Sequence, residues 1–493
     1  MLAAMSRLVV GPFNRVEGDL EVQLDLAEGQ VAAARVNAPM YRGFEQILPG
    51  HDPHDALVIV PRICGICSVS QSVAAARALA DLAGLVAPPN GLHVTNLMLA
   101  CENLADHLTH FYLFFMPDFS RPVYAGRAWF EAAVQRFAPG SGAHSRAATA
   151  ARQRWFTLMG TLGGKWPHTQ SIDPGGSARA IDAAERLRLL AKVHELRSFL
   201  EQTLFGAPLE EVGALRSEAE LWAWQARAPL QGDLRLFLSI SADLGLERLG
   251  PGPGCYLSYG AYPQPDGRPA LAGGVWDGAT QQLAPLDLGQ ISEDVSHAWL
   301  ADAGQPSRHP SAGLTEPQAD KPGAYSWNKA PRLAGRVVET GALARQLCSA
   351  QPLVRDAVAR SGGNVHTRVL ARVIELARVV PLLAQWLGAI TPREPFCDPR
   401  SAAPLPPDGH GVGLTEAARG ALGHWVGVRG GRIERYQIVA PTSWNFSPRD
   451  AAGTPGALEA ALEGAPVQPG ETTPVAVQHI VRSFDPCMVC TVH

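Results

Sequence analysis

The chain has no uninterrupted apolar run of about 18 residues, so nothing in it reads as a membrane-spanning helix. It has no excess of one charge either. Forty-two Lys and Arg face 46 Asp and Glu, a net charge of −4, which gives no reason to expect nucleic acid or an anionic membrane surface as a partner. The opening residues Met1 to Arg7 lack a basic segment followed by an apolar one, so no secretory signal is expected. No internal repeat or low-complexity tract appears, which excludes solenoids and fibrous folds. Cysteine is scarce: eight in 493 residues cannot make a disulfide scaffold. Four of the eight nevertheless fall into two Cys-x-x-Cys pairs, Cys64 with Cys67 and Cys487 with Cys490. That pattern favours metal binding in a reducing compartment, the cytoplasm. The scattered Cys101, Cys255, Cys348 and Cys397 read as small buried side chains.

What the chain has is apolar content. At 46% hydrophobic residues it can bury a large core, as one domain or two fused ones. Residues 8–39 alternate apolar and polar around a turn at Glu28-Gly29, which predicts a β-hairpin. The Ala-rich stretch 68–85 precedes Pro88-Pro89 and predicts a helix. A more apolar helix is predicted from Asn90 or Thr95 to Phe115, stopped by Pro117. Further helices are predicted over 145–162, 177–205, 332–350 and 365–390, the last kinked at Pro381. The Pro/Gly-rich stretches 249–283, 301–324 and 397–413 read as long loops or peripheral strands. Strand signals return from Gly427 onward, over 432–440 and over 474–484 leading into the second cysteine pair. The expected fold class is mainly α, or α+β: a long-helix core with small peripheral β-sheets built from both termini.

Two Cys-x-x-Cys pairs together offer a four-sulfur shell to a soft or borderline metal. Structural zinc is the commonest use of such a set, but zinc modules keep their pairs close in sequence. Here the pairs stand at opposite ends of the chain, which suggests a metal at the centre of a large fold. Four thiolates bring four negative charges. One divalent cation leaves an excess, so a second metal or compensating donors are expected nearby. Cys67 and Cys490, the inner members, could bridge two metals, with Cys64 and Cys487 terminal on one of them.

The segments Arg62-Ile63-Cys64-Gly65-Ile66-Cys67 and Asp485-Pro486-Cys487-Met488-Val489-Cys490-Thr491-Val492-His493 closely resemble the large subunit of nickel–iron hydrogenases. The resemblance runs along nearly the whole chain. Residues 14–19, Asn-Arg-Val-Glu-Gly-Asp, look like that family's Arg-x-Glu-Gly-His. Similar points are Tyr41-Arg42-Gly43-Phe44-Glu45, the run from Asp106 to Tyr112, and the run from Gly163 to Gln170. Others are Lys329-Ala330-Pro331-Arg332, Glu416-Ala417-Ala418-Arg419-Gly420 and Pro441-Thr442-Ser443-Trp444-Asn445.

This resemblance implies one large domain over 1–493. It implies nickel held by all four cysteines, with Cys67 and Cys490 also holding an iron that carries cyanide and carbon monoxide. The implied reaction is reversible cleavage of dihydrogen into two protons and two electrons. Heterolysis needs a Lewis-acidic metal and a base within a few ångströms. The candidate bases are the Cys487 thiolate and the Arg419 guanidine. Arg419 has an alternative role, offsetting thiolate charge and hydrogen-bonding a cyanide, because guanidinium normally stays charged. Asp118 and Asp485 resemble the acidic residues that orient this arginine, and Thr442 a hydroxyl donor to cyanide. Glu17 resembles the proton-relay carboxylate, and Glu45 with His493 the ligands of a magnesium. With no spare cysteine cluster here, the iron–sulfur centres are expected in a small-subunit partner. A heterodimer follows at minimum, or a dimer of heterodimers. An end at His493 looks like the processed form or a naturally truncated product.

Three departures from the family pattern stand out. Gln71 replaces a usual histidine, and its amide can donate to sulfur but cannot titrate. Ile66 and Phe114 are larger than the usual Val and Leu, and together could narrow a gas channel, admitting hydrogen and hindering oxygen. These three resemble the hydrogen-sensing, regulatory branch, a low-turnover enzyme signalling to a sensor kinase; the alternative is an energy-conserving uptake hydrogenase. Asp19 for His and Ala418 for Pro are smaller changes. Two other readings are weaker. The quinone-binding complex I relative lacks the cysteine pairs, and nickel and iron analysis would distinguish a non-catalytic zinc-stabilised protein.

Overall fold

The computed structural model describes residues 6–491 and His493. Apolar alternation near the N-terminus produces a three-stranded antiparallel sheet of β1 (Ser6–Val10), β2 (Glu21–Ala27) and β3 (Gln30–Asn37). β2 and β3 form the predicted hairpin. Glu28 and Gly29 both have positive φ, 52° and 75°, as a two-residue turn between twisted strands requires. Val22, Leu24, Val31, Ala34 and Val36 point into the core.

Two of the predicted long helices follow the first cysteine pair. α1 (Ser68–Ala83) ends on the left-handed Gly84, whose N–H bonds back to the Ala80 and Asp81 carbonyls. α2 (Pro89–Thr109) starts on a proline, which costs no hydrogen bond at that position, and passes through one wide turn, His110–Phe115. α3 (Val365–Ala389) opens on an Asn364–Thr367 capping box and carries Pro381 inside it, as predicted. These helices bury an unusual number of charged groups: Glu102, Asp106 and His107 on α2, and Arg368, Arg372 and Glu375 on α3.

The second sheet is antiparallel: β4 (Gly409–Ala417), β5 (Gly420–Arg429) and β6 (Arg432–Val439). β4 begins inside the Pro/Gly-rich stretch 397–413 and lies directly against α1. A Cβ built on Gly411 would overlap the Ala78 carbonyl oxygen, and one on Gly413 the Ala74 carbonyl oxygen. Alternating glycine on the strand and alanine on the helix are thus two sides of one close backbone approach. Gly413→Ala is expected to destabilise the fold by at least about 1–3 kcal/mol, read as a lower urea midpoint, because backbone cannot yield as a side chain would.

Several sequence expectations are corrected. The 474–484 strand is a helix, α4 (Val475–Phe484), because Val477, Ile480, Val481 and Phe484 repeat at helical spacing and all are buried. Its β-branched content imitated a strand. The helix expected over 332–350 is only Ala342–Cys348, with a strand at Ala330–Leu333. The helix expected from 177 begins at Ala183, where Asp182 and Glu185 form a capping box. The 145–162 helix divides into Ala143–Trp155 and Thr157–Gly163. Two more three-stranded sheets come from the middle of the chain, so the sheets are not confined to the termini. Among the described residues no helix is long and apolar enough to cross a membrane. One apolar cluster runs from Val10 to Met488, and a second surrounds the four paired cysteines.

Candidate metal centre

Cys64 follows a short helical turn, Val60–Ile63, and Cys67 stands immediately before the first residue of α1. At the other end of the chain, α4 stops on Asp485, whose φ of 59° turns the backbone sharply, and Pro486 and Cys487 follow. Cys487 is 423 residues from Cys64 in sequence, yet their sulfurs lie 3.4 Å apart. Cys67 and Cys490 are 3.2 Å apart, Cys487 and Cys490 3.1 Å. All four ligand atoms lie within 4.8 Å of one another, all are buried, and none is in a disulfide. The four sulfurs titrate as one coupled set, in which hydrogen bonds from Cys487, Cys490 and Cys67 pull the Cys64 thiol well down. The Cys67 thiol is pushed well up by Cys487 and Cys490, and the Cys487 thiol by burial and by Cys490. The donor set fits a soft, multiply charged metal group that would hold all four as thiolates.

The connection between β1 and β2 is stitched to this loop. Met488 N donates to the Glu17 carbonyl at 2.7 Å, and Glu17 N to the Pro486 carbonyl at 3.3 Å. Gly18, with φ 77°, lets the strands approach: a Cβ there would stand 2.9 Å from Val489 Cγ1 and from its N. The Glu17 carboxyl is half-buried, and its pKa is raised by burial and by Cys64 against the pull of Arg419.

Arg419 sits in the two-residue turn between β4 and β5, closed by the Ala417–Gly420 pair. Its Nε donates to the Asp485 carbonyl at 2.9 Å and its Nη2 to Asp485 Oδ1 at 3.0 Å. Nη1 lies 2.8 Å from Asp106 Oδ2. Burial opposes the guanidinium charge, but Asp106, Asp485, Cys487 and Cys64 outweigh it and raise its pKa well above the ordinary arginine value. Burial raises the Asp106 pKa to about 7. The turn itself is held by Arg345, which donates to the Ala417 and Ala418 carbonyls at 2.7 and 2.9 Å. Arg345 is neutralised by Glu375 at 2.8 Å and Glu416 at 2.9 Å, all three fully buried.

A small pocket, with room for about one water, opens beside Cys67, Cys487 and Cys490. Ala417, Ala418, Leu422 and Pro441 make its wall apolar, and its other polar side chains are Gln71, Arg419 and Thr442. Thr442 Oγ1 accepts from Cys487 N at 3.1 Å, and no acceptor for its own hydrogen occurs among the described residues. Gln71 Nε2 likewise has no partner. The lining therefore suits a group that offers acceptors to buried donors on one side and meets an apolar wall on the other.

Comparison with known proteins agrees with this geometry. The family model for nickel-dependent hydrogenase matches residues 42–151 and 141–493. The chain belongs to the nickel-dependent hydrogenases. It is 30% identical to the periplasmic NiFeSe hydrogenase large subunit of Desulfomicrobium baculatum and 31% to the hydrogenase-1 large chain of Escherichia coli K12; each match covers 99% of this chain and 95% of the relative. The uptake hydrogenase large subunit of Rhodobacter capsulatus is 29% identical over the same shares. The Ni-Fe-Se hydrogenase of Desulfovibrio vulgaris Hildenborough superposes with a TM-score of 0.84 at 29% identity, covering 99% of this chain and 100% of that one.

Within the hydrogenase, the expected site residues divide. Cys64, Cys67, Cys487, Cys490, Arg419, Asp485, Thr442, Gln71 and Glu17 meet around the sulfurs. Asp118 does not reach Arg419. Its carboxylate pairs with Arg482 at 2.6 Å, with His479 at 3.2 Å and with Arg15. Asp106 stands where Asp118 was expected. Ile66 packs with the cysteine cluster, whereas Phe114 is half-buried beyond it, its carbonyl accepting from Arg15 at 3.1 Å. Glu45 and His493 do converge, 3.7 Å apart, away from the sulfurs. The Ile438 carbonyl lies 2.6 Å from His493 Nε2, and Lys329 lies 2.8 Å from Glu45.

Sequence reasoning missed Asp106, Glu102, Arg345 and His424. Glu102 accepts from the Val69 and Ser70 N–H groups at 2.8 and 2.9 Å, capping the helix that carries Cys67, and burial raises its pKa to about 7. A signal existed: Glu102 and Asp106 are acidic residues one helical turn apart in a helix otherwise apolar enough to be buried all round.

Proposed function

We propose that this chain is the hydrogen-splitting subunit of a nickel–iron hydrogenase, working with a small subunit that carries iron–sulfur clusters. The observation carrying this reading is the convergence of four buried sulfurs from the two ends of the chain within 4.8 Å. The four cysteines would hold nickel, with Cys67 and Cys490 shared with an iron carrying carbon monoxide and cyanide. The cavity supports those ligands, since Arg419 and Thr442 can donate to cyanide and the Leu422–Pro441 side suits carbon monoxide. When bound, this group supplies the Lewis acidity and redox capacity that splitting dihydrogen needs.

The chain's own residues then handle charge and protons. The cationic Arg419 offsets thiolate charge, which supports the compensating role over the role of base. Cys487 Sγ accepts a proton, and Glu17, bridged to the Cys487 segment through its backbone, carries it outward. Two electrons leave through the small subunit. Glu45, the Ile438 carbonyl and His493 form the candidate magnesium site, where a hard cation would take carboxylate and carbonyl oxygen and replace the bond between His493 and Ile438. Eight cysteines without a disulfide suit a reducing, cytoplasmic setting.

Glu17→Gln is expected to slow hydrogen turnover by about 10²–10⁴-fold with nickel and iron content unchanged, measured by dye reduction beside metal analysis. Unaltered turnover would sink the relay.

Two readings concern what the electrons serve. The relatives' names, periplasmic and uptake hydrogenases, favour energy-conserving uptake. Gln71 favours low-turnover sensing with a kinase partner, because an amide beside the sulfurs cannot carry protons. Turnover of the purified heterodimer separates them: fast dye reduction supports uptake, while slow turnover with hydrogen-dependent kinase binding supports sensing. Ile66→Val combined with Phe114→Leu is expected to make activity more oxygen-sensitive. Unchanged inactivation under oxygen would remove the channel argument.

A further inference from the structure

The Gln71 amide is held from behind by two buried residues. Its Oε1 lies 2.8 Å from His424 Nε2, and His424 Nδ1 lies 2.8 Å from the Tyr436 hydroxyl. Gln71 comes from the first turns of α1, His424 from β5 and Tyr436 from β6, and none is more than 1% exposed. The chain of contacts runs from the sheet to the pocket that Gln71 lines with Cys67 and Cys490, and there Gln71 Nε2 has no partner among the described residues.

Counting hydrogens gives the chain a direction. Suppose His424 carried its proton on Nδ1. The Tyr436 hydroxyl would then accept, leaving its own hydrogen buried without an acceptor. His424 Nε2 would need a donor, which turns the Gln71 oxygen toward the sulfurs. That arrangement buries one unsatisfied hydroxyl and sets an acceptor against negative charge, both costly. The opposite arrangement strands nothing. Tyr436 O–H donates to Nδ1, Nε2–H donates to Gln71 Oε1, and the spare donors are the two N–H bonds of the Gln71 amide, both on the pocket side. A neutral imidazole is required, and burial supplies it by pushing the His424 pKa down to about 3.

We propose that His424 and Tyr436 are positioning residues, which lock Gln71 so that its amide N–H donates to the electron-rich group held between Cys67 and Cys490. The inference rests on the reading that this group is iron with carbon monoxide and cyanide. Losing a donor there leaves more electron density on the metal, so the carbonyl band moves to lower wavenumber.

The test is infrared spectroscopy of the loaded heterodimer carrying Gln71→Leu, His424→Leu, or both, with nickel and iron content measured in each. Each single substitution is expected to lower the carbonyl band, and the double variant to match Gln71→Leu alone, since His424 acts through Gln71. A concerted shift of carbonyl and cyanide bands makes a bridging sulfur the acceptor; movement of one cyanide band makes that cyanide the acceptor. Tyr436→Phe, the milder change, is expected to add a second set of bands in the native background and none in the Gln71→Leu background. It carries the test if His424→Leu does not fold. Equal shifts from His424→Leu with and without Gln71, or no shift at unchanged metal content, would overturn the proposal. Absence of carbonyl and cyanide bands from the native protein would instead overturn the iron reading, and the proposal with it.

Discussion

Replacing Arg419 with lysine is expected to lower hydrogen turnover by about 10²–10³-fold without loss of nickel or iron, the scale typical of removing one preorganised donor. Arg419 is fixed at three points, the Asp485 carbonyl, the Asp485 carboxylate and Asp106. Lysine keeps the charge but presents one compact ammonium, which cannot span them. It would sit on one aspartate and leave the other buried without its partner. Turnover and metal content measured on the same preparation separate this effect from failed loading. A rate within a few-fold of the native one would show that charge alone suffices and that the fork geometry is idle.

The second large effect concerns stability. Arg345→Leu should destabilise the folded chain by about 3–5 kcal/mol, the range found when one partner of a buried ion pair is removed. Glu375 is held by Arg345 and by His107 at 3.0 Å, and Glu416 by Arg345 at 2.9 Å. Without the arginine two carboxylates stay in the interior with little compensation. The same change frees the Ala417 and Ala418 carbonyls, so the turn bearing Arg419 loses its anchor. Adding Glu375→Gln and Glu416→Gln to Arg345→Leu should recover part of the lost thermal stability, because it removes the uncompensated charge. No recovery would mean that packing, not charge, dominates at this site.

The cysteine pairs carried most of the site in the sequence, because thiolate spacing is a local property that survives without knowing the fold. The N-terminal hairpin and the helices on either side of Pro88 were legible for the same reason: periodicity, glycine and proline are local. The partner of Asp118 is not legible in the sequence because partner choice is tertiary. Asp106 lies in the last turn of α2 and Asp118 soon after it, and only the tertiary placement of α4 and of the β4–β5 turn decides that Arg482 takes Asp118 and Arg419 takes Asp106. The Val and Ile content of α4 imitates a strand, although its buried residues follow a helical period. The glycines of β4 resembled a loop until the alanines of α1 supplied the reason for them. Arg345 and His424 gave no local sign at all, since their partners lie on other elements far along the chain.

The central claim is that sulfurs from the two ends of the chain hold one nickel beside one iron. Nickel K-edge X-ray absorption on the purified heterodimer tests it most directly. The expected spectrum shows nickel ringed by sulfur, with an iron atom just beyond. Nickel bound only through nitrogen and oxygen, or zinc filling the four-sulfur site, would contradict it.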